Sequence, residues 1–70
     1  MTLAELMRQL QGEQSVRAFA DELGLSPSTL DKIYAGRREP GRRVIRALVA
    51  KYPERREQVL SLFLPQKRGQ

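Results

Sequence analysis

Cysteine, histidine and tryptophan are all missing from this chain of 70 residues. Without cysteine the chain can form no disulfide and offers no thiolate to a metal ion. Without histidine it lacks the commonest general base and the commonest metal ligand in proteins. Long apolar runs are missing too, since none approaches the roughly 20 residues of a transmembrane helix. These absences argue against an enzyme and a membrane protein, and we expect no catalytic residue, metal site, cofactor or membrane partner.

Acidic residues are few, and the charge is unevenly placed. The chain has 13 Lys and Arg against 8 Asp and Glu, a net charge of +5. Residues 1–36 hold three basic and five acidic residues, whereas residues 37–70 hold ten basic and three acidic residues. A concentrated positive charge favours a polyanionic partner. The N-terminus lacks the basic start and apolar core of a signal peptide, so we expect a cytoplasmic protein.

Residues 15–36 predict two short helices joined by a tight turn. Apolar residues recur at i, i+3, i+4 and i+7 over Val16–Leu23. Gly24 can adopt the left-handed conformation that ends a helix, Ser26 is a good N-cap, and Pro27 suits the first helical position. The second helix is predicted over residues 27–35. The spacing fits a helix-turn-helix, but it also fits a small bundle that binds nothing.

The arginines that follow this motif favour a ligand-binding role. Five lie within ten residues: Arg37, Arg38, Arg42, Arg43 and Arg46. The last three fall in the N-terminal half of a predicted helix at 42–51, where positive charge is unfavourable for the helix dipole. Because local helix stability does not explain them, an anionic ligand is the better explanation.

Further helices are predicted on either side. Thr2 and Glu5 form a capping box at the start of a helix that runs to about Gln11. Pro53 breaks the fourth helix and precedes a fifth over residues 54–64. The chain is therefore predicted to be all-α, with a compact five-helix domain at 1–65 and a flexible basic tail at 66–70.

The fifth helix carries more large apolar residues than one core-facing stripe of a small bundle needs. We predict that these apolar residues contribute to a homodimer interface: Val59, Leu60, Leu62, Phe63 and Leu64.

The segment FADELGLSPSTLDKIYAGRREP at 19–40 resembles the phage-repressor and Cro-type helix-turn-helix proteins. The positions that match the family pattern are Ala20, Gly24, Leu30, Ile33, Gly36, Arg37, Arg38 and Pro40. The resemblance implies a five-helix lambda-repressor-like fold. It also implies a small repressor that binds a double-stranded operator, an inverted repeat, as a dimer and without a small-molecule ligand.

In this family the second motif helix enters the major groove, and the loop and helix that follow contact phosphates. The resemblance thus implies base contacts by Pro27, Ser28, Thr29, Asp31 and Lys32. It implies phosphate contacts by Arg37, Arg38, Arg42, Arg43 and Arg46. Val16 and Pro27 stand where the family often has glutamines. Because proline cannot donate a hydrogen bond from its side chain, adenine recognition at Pro27 is lost. The alternative function is a protein-interaction module of the same fold, such as an antitoxin, an antirepressor or a docking domain.

Overall fold

A computed structural model describes residues 1–63, so the predicted tail and Leu64 lie outside the described residues. Over that range the chain is helical and contains no strand. The elements are α1 (Leu3–Gln11), α2 (Val16–Leu23), α3 (Pro27–Tyr34), α4 (Arg42–Lys51), a 3₁₀ turn (Pro53–Arg55) and α5 (Arg56–Phe63). The predicted all-α, five-helix fold is confirmed. None of these helices has the length and apolar character needed to cross a membrane.

The first two helices begin at the predicted caps. At α1 the Glu5 amide donates to the Thr2 hydroxyl at 3.1 Å, and the Thr2 amide donates to the Glu5 carboxylate at 2.8 Å. At α2 the Ala18 amide donates to the Ser15 hydroxyl at 3.0 Å. Each bond satisfies a backbone group that a helix start leaves without an internal partner, which stabilises the start by about 1 kcal/mol.

One apolar core joins all five helices. α2 packs on α3 and α4, while α5 packs on α1 and α4. Phe19 of α2, Leu6 of α1 and Leu48 of α4 are completely buried in this core. Burying one such side chain contributes roughly 1.5–3 kcal/mol. The other buried apolar residues are Leu3, Met7, Ala20, Leu23, Leu25, Leu30, Ile33, Val44, Ile45 and Val59.

The predicted fifth helix begins later than expected. Residues 53–55 form a 3₁₀ turn, in which the Arg55 amide donates to the Tyr52 carbonyl at 2.8 Å, and the α-helix begins at Arg56. Pro53 disfavours helical geometry in the residue before it, which separates the 3₁₀ turn from α4. Tyr52 accordingly has φ −126° and ψ 67°.

The prediction that Val59 lies in a homodimer interface is wrong. Its side chain has 0% of its surface exposed and belongs to the core. Leu60, Leu62 and Phe63 are half-buried and pack against the core while keeping part of their surface accessible. An apolar helix does not reveal from its sequence which residue points most directly inward, and here that residue is Val59.

Candidate nucleic-acid interface

The turn between α2 and α3 is held by backbone hydrogen bonds. The Leu25 amide donates to the Ala20 carbonyl at 2.8 Å, and the Gly24 amide donates to the Asp21 carbonyl at 3.1 Å. Gly24 adopts φ 71° and ψ 28°, a left-handed conformation that costs glycine little. This pair of bonds is a Schellman motif, and it turns Leu25 into the core, where 9% of its surface is exposed. The angle between α2 and α3 is therefore fixed by backbone geometry as well as by packing.

The start of α3 is capped as predicted. The Ser26 hydroxyl accepts a hydrogen bond from the Thr29 amide at 3.2 Å, and Pro27 occupies the first turn. The hydroxyls of Ser26 and Thr29 also lie 2.9 Å apart in a hydrogen bond of their own. The Thr29 hydroxyl is therefore engaged in the cap.

The outer face of α3 is polar and accessible. Ser28, Asp31 and Lys32 are exposed, whereas Pro27 and Thr29 are half-buried. Ser28 and Lys32 are four residues apart, so they lie on one side of the helix. The inner face is buried through Leu30 and Ile33. Of the five predicted base-contacting residues, three thus lie fully on a surface that a duplex could reach.

The end of α3 repeats the geometry of the motif turn. The Arg37 amide donates to the Lys32 carbonyl at 2.9 Å, and the Gly36 amide donates to the Ile33 carbonyl at 3.1 Å. Gly36 has φ 78°, again in the left-handed region. The backbone of the basic loop is therefore tied to the last turn of α3 from its first residue, Arg37.

A basic cleft of about 460 Å³ separates the motif turn from the start of α4. On one side it is lined by Ser26 and Thr29, and on the other by Arg38, Arg42 and Arg43. All three arginines are exposed. The sequence predicted the arginines as a group, but it gave no signal that they face the Ser26 cap, because 16 positions separate Ser26 from Arg42.

The amide groups at the start of α4 add to the positive character of the cleft. The N-cap is Gly41, which offers no side-chain hydrogen bond to the first turn. Free amides at a helix start carry a partial positive charge and bind phosphates and other anions. Three arginines and an uncapped helix start therefore converge on one cleft that suits a phosphate group.

Arg37 and Arg46 complete the basic surface outside the cleft lining. Both are exposed. Arg46 lies three and four residues after Arg43 and Arg42, which puts it on the same side of α4 one turn further on. The basic surface therefore runs from the loop along the first two turns of α4.

A contact that the sequence did not predict joins α3 to α1. The Tyr34 hydroxyl donates to Oε1 of Gln11 at 2.7 Å, and the Arg8 guanidinium carbon lies 4.3 Å from the centroid of the Tyr34 ring. Burial raises the pKa of the Tyr34 hydroxyl above 10.0, and the nearby Arg8 charge partly opposes that shift. Arg8 and Gln11 are 26 and 23 positions from Tyr34, and no local pattern marks the pairing.

The comparisons with known proteins agree with this geometry. A family model described as a helix-turn-helix domain matches residues 2–60, which include all of α1 to α4 and most of the described part of the chain. Neither the curated proteins nor the solved structures give a match. The chain belongs to the helix-turn-helix domain family, whose members are typically DNA-binding proteins and not enzymes.

Proposed function

We propose that this protein is a sequence-specific transcriptional regulator, a small Cro-like repressor that binds double-stranded operator DNA. The observation that carries the proposal is the adjacency of two surfaces. Ser26 and Thr29 at the start of α3 line the basic cleft, so the exposed polar face of α3 adjoins the cleft and a duplex can contact both at once.

Helix α3 is the element that enters the major groove in this proposal. Lys32 can donate to O6 and N7 of guanine, and Ser28 can pair with several bases. Asp31 can accept from N4 of cytosine. Pro27 and Thr29 offer apolar surface to a thymine methyl group, and the Thr29 hydroxyl keeps its bond to the cap.

The basic cleft and the first turns of α4 hold the phosphate backbone. Arg42 and Arg43 are the leading candidates because they line the cleft beside the start of α4, and Arg37, Arg38 and Arg46 extend the contact. Such contacts supply affinity and register without reading sequence. Binding is therefore expected to weaken steeply as salt concentration rises.

The regulator acts as a dimer in this proposal. Proteins of this motif bind two half-sites about one helical turn, ~34 Å, apart. The accessible parts of Leu60, Leu62 and Phe63 supply apolar surface for the contact between protomers. Two-fold symmetry of the protein then requires an operator that is an inverted repeat.

Charge reversal in the cleft tests DNA binding directly. The double variant Arg42→Glu/Arg43→Glu should lose most of its affinity for duplex DNA at low salt, because two phosphate contacts become repulsive. The matched control is Arg55→Glu/Arg56→Glu, which makes the same change in net charge at two exposed residues outside the cleft. Equal losses in the two double variants would mean that overall charge, and not the cleft, carries binding.

The alternative is a protein-interaction module, and one observation favours it. Asp31 places a negative charge on the exposed face of α3, which suits a basic protein partner better than a phosphate backbone. In that case the reversal at Arg42 and Arg43 leaves the function intact, whereas Asp31→Lys abolishes it.

A further inference from the structure

A second concavity lies where the two ends of the described chain meet the loop after α3. This groove of about 700 Å³ has a largely apolar lining that includes Met1, Ile33, Pro40, Leu62 and Phe63. Met1 has 59% of its surface exposed, and it is the one large apolar residue among residues 1–63 whose side chain is mostly accessible. An exposed apolar side chain beside an apolar groove is an arrangement that self-association can bury.

The same groove carries one charge of each sign. Arg38 and Glu39 are consecutive, both are exposed, and both line the groove. A two-fold interface brings the same patch of both subunits together, so each residue must be complementary to a residue of that patch. A patch that contains one arginine and one glutamate meets this requirement when each arginine faces the glutamate of the other copy.

We infer that this groove binds the same groove of a second copy of the chain, with Arg38 of each copy paired to Glu39 of the other. The inference rests on the proposed dimeric regulator and identifies its interface. It extends the predicted surface of Leu62 and Phe63 to the loop after α3 and to Met1.

The charge of the groove favours a second copy over a nucleic acid. Glu39 would repel a phosphate backbone, and no such carboxylate lines the basic cleft. Arg38 lines both concavities, so the interface and the phosphate site adjoin. Pairing of Arg38 with the second copy withdraws it from the proposed phosphate contacts and leaves Arg37, Arg42, Arg43 and Arg46 to the DNA.

Charge exchange across the two-fold axis gives a test that needs no DNA. Sedimentation of the full chain is expected to show a monomer–dimer equilibrium. Arg38→Glu alone and Glu39→Arg alone each set like charges against one another, and each should weaken the dimer at least about tenfold. The double variant Arg38→Glu/Glu39→Arg restores opposite charges and should dimerise as the natural chain does.

Mixing the two single variants is the most specific part of the test. A copy with Arg38→Glu carries two glutamates, and a copy with Glu39→Arg carries two arginines. The mixture should therefore form a heterodimer that is more stable than the homodimer of either variant. Glu57→Arg is the control, because it reverses an exposed carboxylate of α5 outside the groove and should leave the dimer constant unchanged. Circular dichroism establishes that every variant is folded.

Three results would overturn the inference. The first is a chain that stays monomeric at every concentration, which is the result expected if residues 64–70 or another protein fill the groove. The second is a single charge reversal that leaves the dimer constant unchanged. The third is a mixture of the two single variants that forms no heterodimer. A monomer that still selects a DNA sequence would remove the interface and leave the DNA-binding function. A dimer that binds no DNA would support the interface and contradict the proposed function.

Discussion

The Tyr34 hydroxyl donates a 2.7 Å hydrogen bond to Oε1 of Gln11, which joins the last residue of α3 to the last residue of α1. Gln11 in turn donates from Nε2 to the carbonyl of Gln14 at 2.8 Å, and Arg8 covers the ring of Tyr34. This network holds the C-terminal end of α3, while the Gly24 turn and the Ser26 cap hold its N-terminal end. The exposed face of α3 is therefore presented by a helix fixed at both ends.

Removing the tyrosine hydroxyl should loosen the C-terminal end of α3. Tyr34→Phe is expected to lower the free energy of unfolding by about 0.5–1.5 kcal/mol, the usual net contribution of one hydrogen bond. Urea denaturation measures the change. In a double-mutant cycle with Gln11→Ala the two effects should not add, because both substitutions remove the same bond. Additive effects would show that the two side chains act independently.

The raised pKa of Tyr34 predicts a loss of stability in alkaline solution. Burial favours the neutral phenol in the folded state, so the unfolded chain releases this proton at lower pH than the folded one. The contribution is fully present below pH 10.0 and is lost as pH rises through the higher pKa of the folded state.

The measurement is the free energy of unfolding as a function of pH above 9. Tyr52 has a pKa raised by burial and by Glu22 and Glu54, and it contributes in the same direction. Tyr34→Phe and Tyr52→Phe should each flatten the alkaline decline. An unchanged decline in both variants would contradict its assignment to the two tyrosines.

Gly24 is expected to resist substitution because of its backbone conformation alone. A Cβ atom there would meet nothing within 4 Å, so Gly24→Ala adds left-handed strain and no clash. The expected loss is about 1–2 kcal/mol. Gly41→Ala is the control, since Gly41 also has open space but has φ −99°, and it should change stability by less than about 0.5 kcal/mol. Equal losses at both positions would contradict this explanation.

Lys32 is expected to read a base. If it donates to a guanine, Lys32→Ala should cost about 1–3 kcal/mol of binding free energy and relax the preference at one operator position. Competition assays against single-base variants of the selected site measure both effects. Lys51→Ala removes the same charge from the far end of α4 and should leave the base preference unchanged. A uniform loss on all sequences would assign Lys32 to a phosphate.

The sequence predicts most of the fold because the decisive interactions are local. The capping bonds of Thr2 with Glu5 and of Ser15 with Ala18 span three residues, and the left-handed Gly24 follows from its own residue type. The bond between Tyr34 and Gln11 spans 23 residues and has no local signature.

Parts of the candidate site depend on contacts that periodicity does not encode. The basic cleft forms only because the start of α4 packs opposite the Ser26 cap. In α5 the apolar residues are too closely spaced to define one inward face, and the depth of Val59 is set by its packing against the other helices. The exposed residues of α3 were predictable because they alternate with Leu30 and Ile33 on a short helix.

Selection from a pool of random duplex DNA, with a salt titration, measures sequence preference and salt dependence together. For a dimeric operator-binding regulator we expect enrichment of an inverted repeat whose half-sites lie about 10 base pairs apart, with affinity that falls steeply as salt rises. Tight binding without enrichment would contradict sequence-specific regulation and indicate a nonspecific DNA-binding role. No binding to any duplex at low salt would contradict the DNA-binding account altogether.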